Sequence, residues 1–66
     1  MSDKDTVESI IDRQGLYAVL VAISDICYEK AEHIEYNWQD ENTALPWRHA
    51  GRRISTEAER VRREQD

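Results

Sequence analysis

The sequence predicts an all-α fold, with a short N-terminal helix packed on a long antiparallel helical hairpin. Three observations carry that prediction. Ala44, Gly51 and Ala58 recur every seven residues, and Trp47, Ile54 and Val61 repeat beside them with an offset of three. Residues 16–38 keep a helical apolar periodicity without a breaker. Gly15 and Pro46 stand where helices should end and begin.

The first helix is expected over about 5–14. Asp5-Thr6-Val7-Glu8 reads as a capping box, an acidic N-cap with a glutamate three residues on. Val7, Ile10 and Ile11 give this helix one apolar face, and Gly15 supplies a left-handed residue to end it. The second helix is expected over about 16–38, with Leu16, Val19, Leu20, Ile23, Ile26, Cys27 and Ile34 along one side. Its first half is apolar almost all round, through Ala18, Val21 and Ala22, so the first helix should fold back over it.

Gln39-Asp40-Glu41-Asn42 is the expected turn, with Asn42 or Thr43 as the next N-cap. Pro46 lacks an N–H and is tolerated in a helix's first turn, which sets the third helix at about 43–63. Trp38 and Trp47 should stack across the turn as a closing cluster. Along the third helix, small residues alternate with large ones on a single seam, a pattern that lets two helices approach closely. Ala44, Trp47, Gly51, Ile54, Ala58 and Val61 are therefore the expected self-association seam, closing between two hairpins as a homodimeric bundle or else within one hairpin.

Size supports association. A chain of 66 residues makes one domain, 1–66, with about fifteen large aliphatic and tryptophan side chains to bury. Their burial barely offsets the cost of ordering so short a chain. Cys27 stands alone, so no disulfide within the chain can help; it reads as a small buried hydrophobe in a reducing compartment. No apolar run approaches the ~20 residues of a membrane span, and the acidic start Met1-Ser2-Asp3-Lys4-Asp5 lacks a signal peptide's pattern. A cytoplasmic location is expected, with no membrane partner.

Charge is unevenly distributed. Residues 1–42 carry a net −7 and residues 43–66 a net +2, within an overall −5. An acidic half beside a basic half favours antiparallel packing. Projected at about 100° per residue, Asp25, Glu29, Glu32 and Tyr36 share one side of the second helix, with Tyr28 nearby. Such a stripe is either a solvated face or a recognition surface for a basic groove, because acids interleaved with tyrosines imitate nucleic acid.

Lys30, His33 and Asn37 follow the edge of the apolar face, where a buried Lys or Asn would fix register or oligomeric state. Glu29 and Glu32 raise the question of metal beside His33. Ferritin-like sites need Glu-x-x-His from facing helices, however, and His49 is the only other histidine. No metal site and no cofactor is expected. Cys27 has no histidine in helical reach and no serine sits in an elbow motif, so no catalytic residue is expected and the chain does not read as an enzyme.

The arginines Arg48, Arg52, Arg53, Arg60, Arg62 and Arg63 scatter round the third helix, interrupted by Glu57, Glu59 and Glu64. A nucleic-acid-binding helix gathers its cations on one face, and the overall charge has the wrong sign for DNA. Ion pairs to the second helix are the simpler expectation.

Ile11-Asp12-Arg13-Gln14-Gly15-Leu16, Lys30-Ala31-Glu32-His33-Ile34 and Asn37-Trp38-Gln39-Asp40 give the chain a resemblance to small helical proteins of bacteria and their phages. The resemblance covers most of the chain and brings no activity with it. It implies a small accessory protein, in a context that includes anti-CRISPR inhibitors. The functional expectation is a non-catalytic acidic protein that docks Asp25, Glu29, Glu32 and Tyr36 on the basic surface of a larger protein. The alternatives are a structural homodimer with no other partner, and a weak nucleic-acid binder acting through the arginine-rich helix.

Overall fold

The computed structural model describes residues 2–38 and 41–65, with the side chains of Trp38 and Glu41 left aside. It is all-helical over these residues, with α1 at Asp3–Gln14, α2 at Leu16–Trp38 and α3 at Glu41–Gln65.

α1 begins earlier than the sequence suggests. Ser2, not Asp5, is the N-cap: its hydroxyl accepts from the Asp5 N–H at 3.2 Å, and the Asp5 carboxylate accepts from the Ser2 N–H at 3.4 Å. Asp5 thus completes a capping box that starts one turn upstream, where its short side chain replaces the usual glutamate. Both acids of the first turn, Asp3 and Asp5, complement the positive end of the helix dipole. Gly15 ends α1 as expected, but its conformation differs from a left-handed cap. At φ 90° and ψ 153° it lies in a region open essentially to glycine alone. Its N–H donates to the Ile11 carbonyl at 2.7 Å, while its own carbonyl accepts from the Val19 N–H at 3.3 Å. One residue therefore closes α1 and opens α2 with no intervening loop.

α3 also starts early. Glu41 and Asn42, expected in the turn, are helical, and Gln39 and Asp40 lie outside the described residues. Neither Asn42 nor Thr43 is the N-cap, and Pro46 falls in the second turn of the helix instead of the first. There it withholds the N–H that the Asn42 carbonyl would accept, at an exposed position. The stacking expected of Trp38 on Trp47 involves a side chain outside the described residues; Trp47 itself is 38% exposed.

α2 and α3 pack closely as an antiparallel pair, and two side-chain contacts fix their direction. The Arg62 guanidinium, near the end of α3, lies over the Tyr17 ring near the start of α2 at 5.9 Å. Arg48, near the start of α3, pairs with Glu35 near the end of α2.

The interface between them is made of small residues. Ala44, Gly51 and Ala58 of α3 are buried, as are Ser24, Cys27 and Ala31 of α2. At Gly51 the backbones nearly touch. A Cβ built there would lie 3.3 Å from the Ser24 carbonyl oxygen, 3.3 Å from the Cys27 Cβ and 3.2 Å from the Tyr28 ring. The Ser24 hydroxyl donates to the Gly51 carbonyl at 2.7 Å, the one buried hydrogen bond that links the two helices among the described residues.

Two expectations change here. The small half of the α3 seam is filled by α2 of the same chain, so Ala44, Gly51 and Ala58 have no free surface for a second copy. Trp47, Ile54 and Val61 lie along the edge of the hairpin, exposed or half-buried. On α2, the face that meets α3 is not the stripe of large apolar residues but lies about a quarter-turn from it. Leu16 stays 37% exposed, Ile23 37% and Ile26 51%, and among the described residues no large side chain is fully buried.

Among the described residues α1 touches α2 alone and only lightly, so the cover expected for the first half of α2 is partial. The molecule is flat, with extents of 39 × 32 × 12 Å. Its radius of gyration is 13.8 Å, against roughly 11 Å for a compact domain of this length.

Two substitutions test the hairpin. Gly51→Leu forces a branched side chain into a gap that a single Cβ already fills, so unfolding or a large fall in Tm is expected by circular dichroism. Ser24→Ala removes the buried hydroxyl bond and should cost about 1 kcal/mol in urea denaturation, with the helical signal of the native state retained.

Candidate protein-binding face

The acidic face follows from the way α2 is used. Tyr17, Ser24, Ala31 and Glu35 turn toward α3, and the residues that line the groove with α1 point the other way. Asp25, Glu29, Glu32 and Tyr36 fall between these two directions, and all four are exposed. Tyr36 is 86% exposed, the most open of the large hydrophobic side chains among the described residues.

Glu29, Glu32 and Tyr36 line one surface depression of about 660 Å³, together with His33, Glu35 and Asn37. Asp25 continues the same stripe toward the N-terminus of α2 but is not part of that depression. The four residues singled out from the sequence thus share an exposed side, and three of them line one feature.

Electrostatically the stripe is left open. The ion pairs Arg48–Glu35 and Arg60–Glu57 use other acids, and Asp25, Glu29 and Glu32 have no ion-pair partner among the described residues. Side by side at i,i+4, Asp25 and Glu29 repel each other by a few tenths of a kcal/mol. A basic partner relieves that repulsion, whereas nothing within the described chain does.

Glu35 is the neighbour of the stripe that sequence reasoning missed. It sits at the edge of the depression, yet its carboxylate is taken by Arg48 across the hairpin, with both side chains about one-third exposed. A pair so exposed contributes about 0–1 kcal/mol, so it selects the direction of the hairpin more than it stabilises it. The signal available in the sequence was an arginine near the start of one helix and an acid near the end of the helix before it.

Lys30, His33 and Asn37 are exposed instead of sitting in the hairpin interface. The Asn37 amide donates to the His33 carbonyl at 3.0 Å and lies 3.1 Å from the His33 ring nitrogen Nδ1. This local bond holds the imidazole against the helix at the rim of the depression. Among the described residues no three His, Cys, Asp or Glu side chains converge as metal ligands. Cys27 is buried against Gly51 as a small core residue, out of reach of any substrate on the surface.

The arginines of α3 are engaged piecemeal. Arg48 meets Glu35, Arg60 meets Glu57 at 3.1 Å, and Arg62 covers the Tyr17 ring. Arg52, Arg53 and Arg63 are exposed. At about 100° per residue Arg52 and Arg63 share one side of α3 and Arg53 lies about a quarter-turn from them, with Glu57, Glu59 and Glu64 interspersed along the helix.

No helix among the described residues is long and apolar enough to cross a membrane. Comparison with protein families, with curated proteins and with solved structures finds no match to this chain.

Proposed function

We propose that this chain is a non-catalytic binding protein that docks the acidic face of α2 onto the basic surface of a larger protein. One observation carries the reading: Tyr36 stands 86% exposed beside carboxylates that have no partner in the described chain. An open tyrosine among unpaired acids gains little from folding. On binding it supplies a large apolar body with a polar tip, and tyrosine is enriched among residues that dominate interface energies.

The partner surface that fits best is one that itself binds nucleic acid. Carboxylates spaced along a rigid helix offer negative charge at successive turns, and the tyrosine ring offers a flat face where a base would stack. An inhibitor of this kind, a nucleic-acid mimic of the anti-CRISPR sort found in phages, works by occupying the channel. It needs no catalytic group and no cofactor.

The test is affinity capture from a host lysate with the wild-type chain and with Glu29→Lys/Glu32→Lys. Wild type should retain a larger basic protein that duplex DNA competes away and that elutes at high salt. The double variant should lose it while keeping its helical spectrum, because both positions are exposed. Tyr36→Ala should weaken the same complex by about tenfold or more. Equal retention by a folded double variant would exclude the acidic face as the binding surface.

A further inference from the structure

α2 carries a second repeat that the hairpin does not use. Leu16, Ile23, Lys30 and Asn37 recur every seven residues, and Val19, Ile26 and His33 form the interleaved series. This is the alternating spacing of four and three that lets one helix wind on another. In the folded chain it lies away from α3. Its apolar half borders a groove of about 450 Å³ whose other wall is Val7 and Ile10 of α1. Val7 is 45% exposed, Ile10 36%, Ile23 37% and Ile26 51%, so much of the chain's large apolar surface is gathered on this side.

Area points to what covers it. The chain exposes 5446 Å², whereas a compact monomer of its 7.8 kDa mass exposes about 4,400 Å². The excess, roughly 1,000 Å², is close to the ~800 Å² that each partner loses in a standard stable interface. A flat chain leaves area of that order uncovered, this apolar groove included, and a second copy laid on it gives both a two-sided core.

We propose that the α1–α2 groove is a homodimer interface, in which two copies stack their layers about a two-fold axis crossing α2 midway between Val19 and Ile23. The charges on the seam select the antiparallel arrangement. A parallel pair places Lys30 against the Lys30 of its partner. The antiparallel pair brings the apolar halves together, Leu16 against Ile26 and Val19 against Ile23, and separates the two lysines by about 27 Å along the helix, eighteen residues at 1.5 Å each. Lys30, His33 and Asn37 then mark where the seam turns polar, which fixes the register by confining the overlap to Leu16–Ile26. This interface uses a different side of α2 from the acidic stripe and does not depend on the function proposed for it.

Sedimentation equilibrium or light scattering on the full chain tests the proposal. Wild type should show twice the 7.8 kDa protomer mass. Ile26→Asp, at a position half-exposed in the protomer, should keep the helical spectrum and raise the dissociation constant by on the order of 100-fold, because each dimer loses two buried isoleucines. Leu45→Asp, at a comparably exposed apolar position on α3 outside the groove, should leave the dimer intact. If Ile26→Asp loses its helical signal, Ile10→Asp on the opposite wall decides by the same reading. A wild-type chain that stays monomeric up to its solubility limit would overturn the proposal and leave the groove to a partner of another sequence. So would a helical groove variant that remains dimeric. These outcomes are read from mass alone, so they stand apart from loss or retention of the basic partner by the Glu29/Glu32 variant.

Discussion

Everything in this fold depends on the contact between Gly51 and the backbone of α2. With the Ser24 carbonyl 3.3 Å from where a Cβ would stand, and the Ser24 hydroxyl bonded to the Gly51 carbonyl at 2.7 Å, the two helices approach as closely as side chains permit. That proximity admits only small residues along the rest of the interface, which is why Ala31, Ala44 and Ala58 are almost fully buried. The gain comes from dispersion between closely packed backbones and from one buried hydroxyl bond, more than from the burial of large side chains.

The close hairpin has a consequence for the rest of the surface. A gap lined by alanine, serine and glycine has no room for leucine or isoleucine, so Leu16, Ile23 and Ile26 are turned to the other side of α2. α1 covers them only in part, since Gly15 joins it directly to α2 and it makes few contacts along the way. The result is a single helical layer with an apolar flank, a small-residue joint and an acidic stripe between them. The three faces of α2 differ in what they do, since one closes the hairpin, one offers charge and one offers apolar surface. A rigid helix of 23 residues is well suited to keeping these roles apart.

This arrangement also explains the sparse use of charge inside the chain. The acidic half and the basic half do meet, through Arg48 and Glu35, but most carboxylates of α2 are left to solvent or to a partner. Arg62 is drawn to the Tyr17 ring, a contact worth about 0.5–1 kcal/mol at an exposed site. Electrostatics therefore orients the hairpin and shapes the proposed binding surface, while packing holds the fold.

Much of this was legible in the residues. The helix class, the span of α2, the break at Gly15 and the small-residue series of α3 follow from local rules, because periodicity and backbone freedom act within a few residues of one another. The exposed stripe of Asp25, Glu29, Glu32 and Tyr36 was legible for the same reason, since a helix fixes which of its own side chains share a side. The cap at Ser2 and the helix start at Glu41 were not: an aspartate served where a glutamate was expected, and a helix already begun upstream accommodated Pro46. Above all, sequence alone could not say which side of α2 would meet α3. The large apolar stripe is the stronger one-helix signal, but Gly51 rewards close approach, and close approach is a property of two helices together. Ser24, Cys27 and Ala31 acquire their role only when a glycine on another helix stands opposite them, and that decision belongs to the tertiary structure.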